Sequence, residues 1–243
     1  MLLNCDLGES YGNWTMGMDE EVMPHLDQAN VACGFHGGDP LTIERTLRLA
    51  HHHGVSVGAH PAYPDLVGFG RRSMALSDDE LRSALLYQIA ALDGMARTTG
   101  VALDYVKPHG ALYNDMMANA AVRGVIMDTV ASYPAPLRLM LQATAESDAI
   151  RAEAEDRGLA LWFEAFADRC YDDDGRLLSR RKPGAVHDRE RMLAQVEQLA
   201  EHGSVTTVSG TRLPLQVDTL CVHGDNAEGV RAIQAIRDLL HRG

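Results

Sequence analysis

Ionisable residues recur at one kind of place in this sequence, directly after short apolar runs. Asp6 follows Leu3-Asn4-Cys5, with Glu9 close behind, and His36 follows Val31-Ala32-Cys33-Gly34-Phe35, with Asp39 next. His60 follows Val57-Gly58-Ala59, and Lys107 follows Tyr105-Val106, with His109 two residues on. Glu164 follows Trp162-Phe163 and leads to Asp168 and Arg169, while His223 follows Leu220-Cys221-Val222 and leads to Asp225. Carboxylates and imidazoles suit proton transfer, lysine and histidine suit a developing oxyanion, and arginine suits a carboxylate ligand. Any one of these histidines reads equally well as a turn residue with a satisfied ring. His36, His60, His109 and His223 together, each at the end of an apolar run, read as one shared polar pocket.

The elements that must position them are legible from periodicity. Strand-length apolar runs fall at 2–5, 29–33, 55–59, 102–106, 137–141, 159–163 and 217–222, and six of these seven end in ionisable groups. Helical patterns lie between several of them. Pro40 opens one that Gly54 stops, and Ser77 with Glu80 forms a capping box ahead of Leu81, Leu85, Ile89, Leu92 and Ala96. Further helices span 189–202 and 227–240. Alternating strands and helices predict a parallel sheet covered on its faces. Seven repeats in 243 residues predict a closed or nearly closed α/β barrel formed as one domain over 1–243, with a doubly wound open sheet as the alternative. In a parallel barrel all the polar strand ends meet at one rim, where barrel enzymes build their sites.

Other features read as structural. His51, His52 and His53 occupy the last turn of a helix, where they suit the dipole and solvent. The runs Asp19-Glu20-Glu21 and Asp172-Asp173-Asp174 read as solvated surface. Cysteines beside polar motifs read as small apolar packing groups, with Cys5 and Cys221 left open because they adjoin the pocket residues. Asp and His are compatible with a divalent metal such as zinc, but no local pair such as His-Glu-x-x-His is present, so any ligands must come from separate strands and the metal stays unassigned. There is no Gly-x-Gly-x-x-Gly or phosphate-binding Gly-x-x-x-x-Gly-Lys-Ser/Thr loop, so no nucleotide cradle is expected in this chain.

Composition excludes whole classes. Lys+Arg number 22 against 34 Asp+Glu, a net charge of −12, which argues against nucleic acid or an anionic membrane as partner; the one basic cluster is Arg180-Arg181-Lys182. Hydrophobic residues make up 46%, enough for a real core. The charge at Asp6 leaves no apolar region for a signal peptide, and no run approaches the roughly 18 residues of a membrane span. Four widely spaced cysteines without a Cys-x-x-Cys pair read as reduced thiols, so a cytoplasmic location is expected.

Seven segments, taken in order, resemble one known family: NCDLGES at 4–10, ANVACGFHGGDP at 29–40, GAHPAYPD at 58–65, GFGRR at 68–72, VKPHGALYN at 106–114, EAFADR at 164–169 and CVHGD at 221–225. By these motifs the chain is identified as a member of the LamB/YcsF family. The resemblance implies an irregular, seven-stranded TIM-like barrel of the glycoside hydrolase/deacetylase type. It also implies one component of an ATP-dependent 5-oxoprolinase, working with subunits B and C to open 5-oxo-L-proline (pyroglutamate) to L-glutamate, with ATP as co-substrate of the complex.

Carried over by motif, the site residues are Asp6, His36, Asp39, His60, Lys107, His109, Glu164, Asp168, Arg169, His223 and Asp225. The expected roles are Asp6 or Glu164 as base, aided by His36 or His60, and Lys107 and His109 as oxyanion stabilisers. Arg169 is expected to hold the substrate carboxylate, and Asp39, Asp168, His223 and Asp225 to bind or orient. Two positions depart from the family pattern: Ala62 stands where glycine is usual, and 142–147 replaces a Gly/Ser-containing turn. The alternatives are a stand-alone metal-dependent deacetylase and a non-catalytic binding subunit. The first predicts a bound ion and activity without ATP; the second predicts that rim substitutions leave activity intact.

Overall fold

The computed structural model describes residues 1–179, 182–223 and 227–241; Asp225 and the arginines of the basic cluster lie outside the described residues. Strands β1 (Leu2–Leu7), β2 (Gln28–Ala32), β3 (Ser56–His60), β4 (Leu103–Val106), β5 (Arg138–Gln142) and β6 (Leu161–Phe166) pair in parallel, each with the next. A small antiparallel hairpin, β7 (Ser204–Thr206) and β8 (Arg212–Pro214), intervenes before β9 (Thr219–His223), which pairs with both β6 and β1. The result is a closed seven-stranded barrel, which decides against the open sheet. Each expected apolar run holds one barrel strand.

The helices form for the reasons their sequences carry. After the short α1 (Asp19–Val22), the next helix is α2 (Pro40–His53), where the Asp39 carboxylate accepts from the amides of Leu41 and Thr42, proline occupies the first turn, and Gly54 ends the helix at φ 66°. In α3 (Asp78–Thr98) Ser77 and Glu80 complete the reciprocal capping box. Its Leu85, Ile89, Leu92 and Ala96 are buried against the barrel, and each large apolar side chain so buried contributes roughly 1.5–3 kcal/mol. Helices α4 (Gly110–Ala118), α5 (Ala120–Ala131) and α6 (Ser147–Glu155) also cover the strands, and the Asn119 side chain caps α5 by accepting from the Ala121 amide at 2.9 Å. After β6 an irregular excursion precedes α7 (Arg189–His202), and α8 (Ala227–Leu240) follows β9.

The apolar core lies between the strands and the helices, where Leu3, Cys5, Leu7, Val31, Val57 and Val222 point outward from the barrel. The alternate residues face inward and are largely polar. The Asn4 amide donates to Thr219 Oγ1 at 2.9 Å, and the Thr219 hydroxyl donates to Gln28 Oε1 at 2.6 Å. The Asn30 amide donates to Asn4 Oδ1 at 2.9 Å, and the Tyr105 hydroxyl donates to Asn30 Oδ1 at 2.6 Å. Buried polar groups of this kind must satisfy one another, so the belt rigidifies the barrel interior beneath the rim.

Candidate active site

Asp6 and Lys107 meet across the top of this belt. Their strands are not neighbours in the barrel, so the contact spans its interior. Lys107 Nζ lies 3.0 Å from Asp6 Oδ1 and 3.0 Å from Glu164 Oε2, and it donates to Asn4 Oδ1 at 3.3 Å. Asn30 also donates to Asp6 Oδ1, at 2.8 Å. Burial disfavours both charges, but the partners win. Burial alone would raise the Asp6 carboxyl, yet His60 and Lys107 hold it well below the usual carboxylate range. Burial alone would lower Lys107, yet the carboxylates of Asp6 and Glu164 hold its ammonium well above the ordinary lysine value. The Cys221 thiol, 3.2 Å from Lys107 Nζ, is pushed well up by burial, as is that of Cys5. Both are therefore thiols at neutral pH rather than nucleophilic thiolates.

Beside this pair is a histidine cluster. His60 Nδ1 donates to the Lys107 carbonyl at 2.6 Å, and its Nε2 lies 3.4 Å from Asp6 Oδ2. His109 Nε2 donates to the Phe69 carbonyl at 2.9 Å. Phe69 sits at φ 54°, the one left-handed non-glycine among the described residues, and this unusual backbone aims its carbonyl at the ring. Next to it Gly70 approaches so closely that a Cβ there would lie 2.8 Å from His109 Cδ2. His36 Nε2 pairs with Glu9 Oε1 at 3.1 Å, and the His36 ring stacks on His109 with centroids 3.7 Å apart. Glu9, His36, His60 and His109 offer ligand atoms within 4.8 Å of one another, a buried donor set that could hold a metal ion.

A cavity of about 930 Å³ opens over these groups, at the upper end of the usual size for small-molecule sites. Asp6, His60, Lys107, His109, Arg169 and His223 line it. These are strand-end residues, and the cavity is the C-terminal rim of the barrel.

The LamB/YcsF family profile matches residues 1–243. This chain belongs to the LamB/YcsF family. It is 58% identical over 238 residues to the 5-oxoprolinase A component of Chromohalobacter salexigens, covering 98% of this chain and 95% of that one. It is 55% identical over 242 residues to the 5-oxoprolinase A component of Pseudomonas fluorescens, covering 99% and 97%. The crystal structure of a lactam utilization protein from Thermus thermophilus superposes with a TM-score of 0.90 at 39% identity, covering 100% of this chain and 96% of that one. A putative cellobiose-phosphate cleavage protein from Enterococcus faecalis shares the fold alone, with a TM-score of 0.54 at 11% identity over 99% of this chain and 90% of that one.

The LamB/YcsF motifs do not all serve the cavity. Asp39 stands apart from it: its oxygens accept from Gly12, Leu41 and Thr42, and these bonds hold its carboxyl down at about 2. It therefore caps α2 and ties down the loop after β1 rather than facing a substrate. Glu164 is fully buried and His36 nearly so, and neither lines the cavity. Of the two candidate bases, only Asp6 reaches the space a substrate would fill. Asp168 accepts from His223 Nδ1 at 2.9 Å, the orienting contact expected of it. Arg169 lines the cavity, but it donates to the Leu178 carbonyl at 2.7 Å and the Ala185 carbonyl at 3.4 Å, and so also fastens the excursion after β6. Asp225 lies outside the described residues.

Sequence reasoning noted Glu9 behind Asp6 but did not carry it into the site, because it stands two residues past the strand. It missed Arg71, Tyr113 and Arg176 in the cavity wall. The loop at 142–147 brings Gln142, Thr144, Ala145 and Glu146 to the cavity, so this departure from the LamB/YcsF pattern falls within the site. Ala62, the other departure, has its amide and carbonyl bonded to the Gln88 side chain.

The buried rings of this LamB/YcsF site make stability sensitive to acid. Burial holds His36 and His109 well below the ordinary imidazole value, and for His109 the neighbouring His36 and His60 add to it. Below about pH 6.5 the unfolded chain takes up protons that the folded chain resists, so stability falls as pH drops through that value. Asp6, held low when folded, adds a second loss below about pH 4. Urea unfolding at about pH 7.5 and about pH 5.5 should differ by about 1 kcal/mol per ring, and equal stability at the two pH values would contradict this.

Proposed function

We propose that this chain is the A component of an ATP-dependent 5-oxoprolinase and that, with subunits B and C, it hydrolyses the lactam of 5-oxo-L-proline to L-glutamate. The observation that carries the reading is Asp6 paired with Lys107 at 3.0 Å in the wall of the rim cavity of a chain whose near relatives are named for that activity. Water adds to the ring carbonyl carbon while Asp6 takes its proton. Lys107 stabilises the charge that develops on oxygen, and the carbon–nitrogen bond then breaks as the nitrogen gains a proton; His109, expected to share that role, has its one hydrogen committed to the Phe69 carbonyl. Arg169, with Arg71 and Arg176 in the same wall, provides cations for the substrate carboxylate.

A carboxylate held as acidic as Asp6 is a weak base, and a bare five-membered lactam is a poor electrophile. The pairing makes sense if the lactam oxygen is first phosphorylated at the expense of ATP: water then adds to the activated carbon, the carbon–nitrogen bond breaks to leave an acyl phosphate, and a second water releases phosphate. This chain carries no recognised phosphate-binding loop, so we assign the phosphorylation to the partners. No helix among the described residues is long and apolar enough to cross a membrane, and the four cysteines are free. Free thiols fit a reducing compartment, and we place the complex in the cytoplasm.

The test is glutamate release from 5-oxoproline by this chain with subunits B and C and ATP, omitting each in turn. Release only from the full mixture is the expected result. Release by the chain alone without ATP, or none from folded and complete components, would overturn the proposal.

A further inference from the structure

We propose that Glu9, His60 and His109 bind one divalent metal ion of the zinc type, with His36 as the positioning residue that orients Glu9. The inference goes beyond lactam hydrolysis and does not depend on it.

The first argument is about hydrogens. A carbonyl oxygen can only accept, so His60 must carry its hydrogen on Nδ1, facing the Lys107 carbonyl, and His109 must carry its hydrogen on Nε2, facing the Phe69 carbonyl. With both rings neutral, the remaining nitrogens, His60 Nε2 and His109 Nδ1, both present lone pairs 3.0 Å apart, and Asp6 Oδ2 faces the same His60 nitrogen at 3.4 Å. Two lone pairs at that distance repel unless a cation joins them. Glu9 Oε1, a further lone-pair donor, lies 3.4 Å from the same His109 nitrogen. Ligands bound at about 2.0–2.1 Å around a tetrahedral ion stand roughly 3.3 Å apart, so both spacings suit one ion.

The second argument is the outer shell. Metal-binding histidines typically donate their other ring hydrogen to a carbonyl or carboxylate, which fixes the tautomer. Both rings do so here, and one of the two carbonyls is aimed by the unusual backbone of Phe69.

The ring geometry selects the ligands. The His60 and His109 planes meet at 89°, so their in-plane lone pairs can converge on one point. The His36 and His109 planes are parallel within 6° at a centroid distance of 3.7 Å, so an ion in the plane of His109 lies well out of the plane of His36. His36 therefore acts on the carboxylate, through Glu9 Oε1 at 3.1 Å, rather than on the ion. Two nitrogens and one carboxylate oxygen suit zinc and its neighbours better than magnesium or calcium, which prefer all-oxygen sites.

The test must remove the exposed triplet His51, His52 and His53, which could bind metal on its own. A full-length chain carrying His51→Ala, His52→Ala and His53→Ala is stripped with chelator and titrated with zinc or cobalt(II). Calorimetry, elemental analysis after desalting and the visible spectrum of the cobalt form are then read. The expected result is a single ion per chain, a rise in Tm on loading and a cobalt spectrum typical of a low-coordinate nitrogen and oxygen site. Adding His60→Gln or His109→Gln should abolish binding, whereas His36→Gln should weaken it by roughly 10–100-fold. The proposal is overturned if an ion is retained only while the surface triplet is present. It is equally overturned if binding ignores both ring substitutions, or if the triplet-free chain binds nothing and nitrogen NMR shows an imidazolium proton between His60 and His109. Should a ring variant fail to fold, titration of the triplet-free parent still decides.

Discussion

Asp6→Asn should lower kcat for glutamate formation by about 10²–10⁴-fold in the assembled enzyme, with the KM for the lactam changed far less. The amide is nearly isosteric with the carboxylate and can still accept from Asn30 and Lys107, but it cannot take a proton from water. Glu164→Gln provides the contrast. Glu164 is wholly buried and off the cavity. Its replacement removes one of the two carboxylates that hold the Lys107 ammonium, so it should cost stability first and activity through Lys107 second. Glutamate release and Tm, measured on both variants, separate the two effects. An Asp6→Asn enzyme with undiminished kcat would remove Asp6 from the chemistry.

Gly58→Ala should be among the most damaging single-methyl additions in the barrel. A Cβ at Gly58 would lie 2.1 Å from Tyr105 Cε2 and 2.4 Å from Cδ2 and Cζ. Tyr105 is fully buried and pairs with Gly58 across β3 and β4, where the register is already irregular. A stiff ring inside a closed barrel cannot turn aside, so the overpacking cost should reach or exceed about 3 kcal/mol, the top of the usual range. For a chain of this size that corresponds to a Tm lower by roughly 6–12 °C. Activity should fall as well, because the Tyr105 hydroxyl holds Asn30, and Asn30 holds Asp6. Pairing the change with Tyr105→Leu should recover much of the stability but not the activity. A Gly58→Ala chain that melts normally would show that the ring yields.

Most of the fold could be read ahead of the structure because its signals are local. Apolar runs of strand length, the Ser77 capping box and the Gly54 stop each depend on neighbours in sequence, and each sits where expected. The convergence of Asp6, His60, Lys107, His109 and His223 was readable too, since parallel strands must end on one rim. What escaped depends on contacts between distant strands. Asp39 follows an apolar run just as His36 does, yet its carboxylate closes a helix end. Glu9 has no strand of its own to announce it and reaches His36 only because the loop after β1 folds back. The polar belt of Asn4, Gln28, Asn30 and Thr219 is spread over β1, β2 and β9, and only register brings it together. Separating Asp6 from Glu164 as candidate bases likewise required knowing which one the cavity reaches.

The pairing of β1 with β9 also governs how the molecule is made. Asn4 and Thr219 are 215 residues apart in the chain and bonded in the barrel. On the ribosome, β1 can pair with β2 early but must wait for its other neighbour until the chain has been translated through β9. Throughout that interval its inward polar groups and open edge face solvent, and contacts so distant in sequence are slow to form. A nascent or prematurely terminated chain lacking β9 can build strands, helices and most of the apolar shell, but not the seam that closes the ring. Catalytic competence is therefore withheld until β9 is inserted, and unfinished chains expose an edge that chaperones and proteases can engage.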